Sequence, residues 1–91
     1  MGKIVKSQGE KEEFDEGKLW HSIYYPAREA HYTEEEAVEL ADDAKQEVMG
    51  WMDEHEDDVL TSKELRQKIS EILSRKDEDV EFLYRKHLDL N

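Results

Sequence analysis

Lys6 and Lys18 are the residues of this chain best placed to do chemistry. Lys6 stands just before a glycine turn at Gly9, and Lys18 falls in the first turn of a helix for which Asp15 is a natural N-cap. Backbone N–H groups at a helix start point outward and favour negative charge, so two ammonium groups around such a turn make a cradle for phosphate. A hairpin folded onto that helix end brings both lysines to one triphosphate, with Mg²⁺ offsetting the phosphate charge against nearby carboxylates. The plainer reading is that the lysines balance Glu10, Glu12, Glu13, Asp15 and Glu16 on a solvated surface, where ion pairs contribute little. On residue types alone the plainer reading is the stronger.

No other constellation competes. The chain has no Ser paired with His at a known spacing, no HExxH and no GxxxxGK[ST], so it reads as non-catalytic. His21, His31, His55 and His87 share no single helical spacing and read as surface or partly buried structural residues, not metal ligands. The acidic run from His55 to Asp58 lacks the glycine and the spacing of a calcium loop and reads as a charged connection between helices. Without cysteine there is neither a disulfide framework nor a thiolate metal site. No apolar run approaches a membrane span or a signal-peptide core, so the simplest expectation is a cytoplasmic protein that does not enter a membrane.

Charge narrows the partners. The net charge is −12 over 91 residues, and residues 33–58 hold twelve acids against one lysine. The rest of the chain is close to balance. A nucleic-acid backbone needs a basic face, so DNA or RNA binding is not expected. A small anion is a different case, because screening over about 8 Å lets a local lysine pair act while the acidic segment lies elsewhere. The acidic run itself reads as a solvated helix face in preference to a recognition surface.

Several elements must position these groups. Lys3 to Ser7 alternates charged and β-branched residues, Gln8 and Gly9 supply turn chemistry, and Glu12 to Phe14 returns as a second strand. Leu19, Ile23 and Ala27 place an apolar stripe on the first helix, which Pro26 is expected to kink or shorten. Thr33 with Glu36 forms a capping box ahead of Ala37, Leu40, Ala41, Ala44, Val48, Trp51 and Met52, five turns of helical spacing. Val59 and Leu60 fit a short third strand, and Thr61 with Glu64 repeats the capping box before Leu65, Ile69, Ile72 and Leu73. A last helix begins near Asp77 and carries Val80, Leu83, Tyr84 and Leu88 inward. The fold expected is α+β, four helices capped by a small antiparallel hairpin or three-stranded sheet, with residues 1–91 as one unit.

The order of these features resembles the ATP-cone family, the nucleotide-binding regulatory domain of ribonucleotide reductases and of a related bacterial transcriptional repressor. The resemblance rests on Ile4-Val5-Lys6-Ser7-Gln8-Gly9, then Glu12, Phe14-Asp15 and Lys18-Leu19, with Thr61-Ser62, Leu65 to Leu73 and Asp79 to Arg85 matching later segments. It implies a cone of four helices under a small sheet, binding ATP or dATP with Mg²⁺ beneath the hairpin and signalling to a partner. By position it implies phosphate contacts for Lys6 and Lys18, base or sugar contacts for Glu12 and Asp15, and apolar flanks from Ile4 and Leu19. Ser7 stands in the turn, and Ser62 with Arg66 occupies the third-helix positions that face the nucleotide.

One departure stands out. Where the family carries Lys-Arg-Asp/Asn-Gly, this chain reads Lys6-Ser7-Gln8-Gly9, losing an arginine and an acid. The chain also lacks the cysteine-rich zinc ribbon and basic face of a DNA-binding relative. The resemblance thus implies a regulator acting in trans on ribonucleotide reductase or another protein, or through self-association. The alternative is a degenerate cone without nucleotide binding, an interaction module built on aromatics such as Trp20, Tyr24, Tyr25 and Trp51, although Trp51 sits on a core stripe.

Overall fold

In chain order the elements are β1 (Ile4–Ser7), β2 (Glu10–Glu13), α1 (Glu16–Glu29), α2 (Glu34–Glu54), β3 (Val59–Thr61), α3 (Ser62–Lys76) and α4 (Glu78–Asp89). They come from a computed structural model, which describes residues 3–7 and 9–89. Among the described residues this is the expected α+β arrangement of four helices and a small sheet. The sheet is mixed, in the order β2-β1-β3, with β1 antiparallel to β2 and parallel to β3.

The hairpin closes with Ser7 opposite Glu10. Gly9 has φ +88°, a backbone conformation open to glycine and strained for other residues. Gln8, read as a turn residue, lies outside the described residues. Pairing puts Val5 opposite Glu12 on one side and Leu60 on the other, so these three side chains share a sheet face by strand alternation. Leu60 on that face is fully buried. Ile4, Lys6 and Lys11 belong to the opposite face.

Each expected helix start is found. Thr33 and Thr61 both form reciprocal capping boxes, with Glu36 and Glu64. Asp15 Oδ1 accepts from the N–H groups of Gly17 and Lys18, and Asp77 Oδ1 accepts from those of Asp79 and Val80. The core joins Leu19, Ile23 and Ala27 of α1 to Ala37, Ala41, Ala44, Val48 and Met52 of α2, then to Ile69, Ile72 and Leu73 of α3 and Val80 and Tyr84 of α4. Three alanines on the α2 stripe let α1 approach closely, because a methyl side chain keeps helix axes near the lower end of their usual separation.

Pro26 corrects one expectation. It neither ends nor shortens α1, which runs on to Glu29. A proline there removes one backbone hydrogen bond, but Leu19, Ile23, Pro26 and Ala27 form a single buried stripe, and packing of such a face supplies most helix stability in a protein. The helix ends instead in a Schellman motif: the Tyr32 N–H donates to the Ala27 carbonyl and the His31 N–H to the Arg28 carbonyl, with His31 at φ 71°. Tyr24 and Tyr25 sit on α1.

α2 has no basic residue in its last turn. Lys3, just before β1, fills that role. Its Nζ donates to the carbonyls of His55 and Asp57, both at 3.1 Å, and lies 3.6 Å from the Asp58 carboxylate. The acidic connection after α2 is thus tied to the start of β1, a cation placed at a helix C-terminus where the dipole favours it.

Candidate functional site

A cavity of about 380 Å³ lies where the hairpin meets α1, α3 and α4, within the roughly 300–1,000 Å³ typical of small-molecule sites. Strand alternation decides what the sheet contributes. Val5 and Ser7 of β1 and Glu10 and Glu12 of β2 share the lining face, joined by Glu13 and Phe14 at the end of β2. From α1 come Lys18, Leu19 and Ser22, following the Asp15 cap. From α3 come Ser62, Leu65, Arg66 and Ile69, the i, i+3, i+4, i+7 stripe of one helix face. Tyr84 of α4 completes the lining.

Seven of the nine site residues expected from the sequence meet here: Ser7, Glu12, Asp15, Lys18, Leu19, Ser62 and Arg66. Ile4 and Lys6 do not line the cavity. Lys6 lies opposite Lys11 in the register and is exposed on the far face of the sheet, because neighbouring residues of a strand point to opposite sides. A phosphate cradle between Lys6 and Lys18 is therefore not the arrangement found. The cations that line the cavity are Lys18 and Arg66.

Its acids are Glu10, Glu12, Glu13 and Asp15. Asp15 already holds two of the α1 amides, at 2.9 and 3.2 Å, so part of the helix start expected to attract an anion is engaged by the chain's own carboxylate. Four carboxylates and two cations thus line the cavity, and among the described residues no three acidic or histidine side chains are grouped so as to hold a metal ion.

The lining has a dry side and a wet side. Leu19 and Ile69 are 5% and 3% exposed, whereas Lys18 and Arg66 are exposed. Tyr84 is 3% exposed, and burial pushes its hydroxyl up to about 12, against the opposing pull of Arg66. The Ser22 hydroxyl donates to the Leu19 carbonyl at 2.6 Å. Tyr84, Phe14 and Val5 were not read as site residues from the sequence. Strand parity marks Val5 as the partner of Ser7 on one face, while Tyr84 is hidden in an ordinary apolar helix stripe.

The other chemical expectations resolve into structure. His55 lies 3.8 Å from Glu64, His21 Nδ1 is 2.7 Å from the Gly17 carbonyl, and His87 meets Glu29. Trp51 packs against the core with the Lys68 ammonium 5.9 Å from its ring centroid. Trp20 stacks on Tyr24 and donates from Nε1 to Asp42 Oδ1 at 2.7 Å, which ties α1 to α2. Tyr25 stays 58% exposed. No described helix is long and apolar enough to cross a membrane.

Comparison with known proteins gives one finding. The family model of the ATP cone domain matches residues 2–87, nearly the whole chain. Neither curated proteins nor solved structures yield a match.

Proposed function

The chain belongs to the ATP cone domain family, a family of adenine-nucleotide-binding regulatory domains, and from that premise we propose that it binds ATP or dATP with Mg²⁺ in the cavity under the hairpin. The observation that carries this reading is the convergence there of Ser7, Glu12, Asp15, Lys18, Leu19, Ser62 and Arg66 from four separate segments. In this reading Lys18 and Arg66 face the phosphates, Glu12 and Asp15 face the base or sugar, and Leu19 flanks the base. Lys6 adds long-range charge from across the sheet, and Ile4 supports β1 from behind.

The domain is regulatory and non-catalytic in this proposal. Nucleotide state is passed to a separate protein, ribonucleotide reductase being the candidate that the family indicates. Occupancy of a cavity shared by the sheet, α1, α3 and α4 changes how those elements hold together, and that is the signal a partner reads.

The test is titration of the purified chain with ATP, dATP and GTP in the presence of Mg²⁺, followed by amide chemical shifts and tryptophan fluorescence. Saturable, adenine-selective shifts at Ser7, Glu12, Lys18 and Arg66 are expected, and Lys18→Ala should weaken them. The absence of any change at millimolar nucleotide would sink the proposal and favour a cone that works through protein contacts alone.

A further inference from the structure

Tyr84 stands apart from the other lining residues. It is 3% exposed, and its hydroxyl makes no hydrogen bond among the described residues, unlike the Tyr32 hydroxyl, which donates to Asp77. Buried tyrosine hydroxyls ordinarily find a partner. No side-chain nitrogen or oxygen among the described residues is both sealed from solvent and unpartnered. Tyr84 Oη therefore keeps some exposed surface, and the Tyr84 side chain lines the cavity, which makes this hydroxyl a candidate donor to a ligand held there.

We propose that Tyr84 is a base-contacting residue of the nucleotide site, its hydroxyl hydrogen-bonding the heterocyclic base on the floor of the cavity. The inference rests on the nucleotide reading above and deepens it. Leu19 and Ile69 wall the same floor and are nearly sealed from water, while Lys18 and Arg66 lie exposed at the rim. A phosphate on the floor would lose its hydration against hydrocarbon. A base loses little by the same move, since its faces are apolar and its edge offers ring nitrogens as acceptors. The phenol stays neutral at physiological pH, so it keeps a proton to donate. α4 thereby contacts the ligand directly, and base occupancy is felt by an element that also packs on α1 and α3.

Tyr84→Phe deletes the hydroxyl and keeps the ring. Affinities of the wild-type and variant chains for AMP, ADP and ATP with Mg²⁺, measured by calorimetry, decide the matter together with the unliganded Tm. Dissociation constants should rise roughly 3- to 10-fold, by a similar factor for all three ligands, because the lost bond is to the part they share. The loss with Lys18→Ala should instead grow with phosphate number. Unliganded Tm should hold or rise, since no described residue bonds the hydroxyl.

Unchanged affinities in Tyr84→Phe overturn the proposal. So does a loss confined to the triphosphate, or a drop in unliganded Tm with binding intact. If the variant fails to fold, the wild-type chain still answers: the Tyr84 hydroxyl proton should become protected from exchange on binding and show a nuclear Overhauser contact to the base, and its absence overturns the proposal. A wild-type chain that binds none of the three is a different failure, that of the nucleotide reading itself, and takes this inference with it.

Discussion

Ser7 lines the cavity at the turn position where the family carries arginine. A guanidinium grips phosphate through two parallel N–H bonds, and a charge-assisted bond contributes about 1.5–3 kcal/mol. Ser7→Arg should therefore tighten ATP binding by roughly 10- to 150-fold. Ser7→Lys should gain less, since an ammonium is a point charge. Calorimetry on the two variants checks this, and equal affinity to wild type would remove Ser7 from the phosphate environment. The same residue shows how far the site was legible. Lys18, Glu12 and Asp15 stand out by charge and order, but Lys6 and Ser7 are neighbours on one strand and cannot both face the cavity. Lysine count says nothing of that parity, whereas the register of β1 against β2 does. Tyr84 was illegible for the opposite reason: its spacing from Val80 is that of any buried helix residue, and only its place in the cavity lining marks it out.

His31 ends α1 in the left-handed region at φ 71°, a position usually filled by glycine. For a residue with a Cβ that conformation costs roughly 1–2 kcal/mol. His31→Gly should stabilise the fold by about 1 kcal/mol, a rise of roughly 4–8 °C in Tm for a domain of this size. Thermal unfolding followed by circular dichroism measures it, and a lowered Tm would show that the imidazole contributes more than the strain removes. At this scale the sequence was most readable. The capping boxes at Thr33 and Thr61 and the aspartates at 15 and 77 mark the helix starts within a residue, because a cap is a local hydrogen bond between residues three apart. Pro26 misled because its effect depends on burial of the whole α1 stripe, and the elements that pack on α1 are remote in the chain. The parallel pairing of β3 with β1 was equally out of reach of local pattern: two strand-like residues at Val59 and Leu60 do not say which edge they join.

Across the whole molecule the acidic excess is answered by cations from other elements. Arg75 and Lys76 at the end of α3 reach Glu47 of α2, Lys45 of α2 reaches Glu16 of α1, and Lys3 reaches Asp58. Hydrogen bonding to Lys76 above all holds the Glu47 carboxyl below the usual range. Tyrosines set the alkaline limit. The bond to Asp77 raises Tyr32 to about 12, and burial raises Tyr84 to about 12. An unfolded tyrosine ionises near 10, so above about pH 10 the unfolded chain releases protons that the folded chain retains. Their contribution to stability is complete below that value and is lost as pH climbs towards 12. Urea unfolding at several pH values between about 9 and 12 should show this decline, and Tyr32→Phe should make it shallower. The β2-β1-β3 order has a consequence of timing. β1 is the middle strand, yet Ile4 and its partner Val59 stand fifty-five positions apart. At about 5–20 residues per second of synthesis, the sheet waits roughly 3 to 11 s for its third strand. A lone hairpin is marginal in water, so for that interval the cavity proposed to take nucleotide has no floor, and on that proposal a ribosome-bound chain becomes competent for nucleotide only after β3, α3 and α4 have emerged.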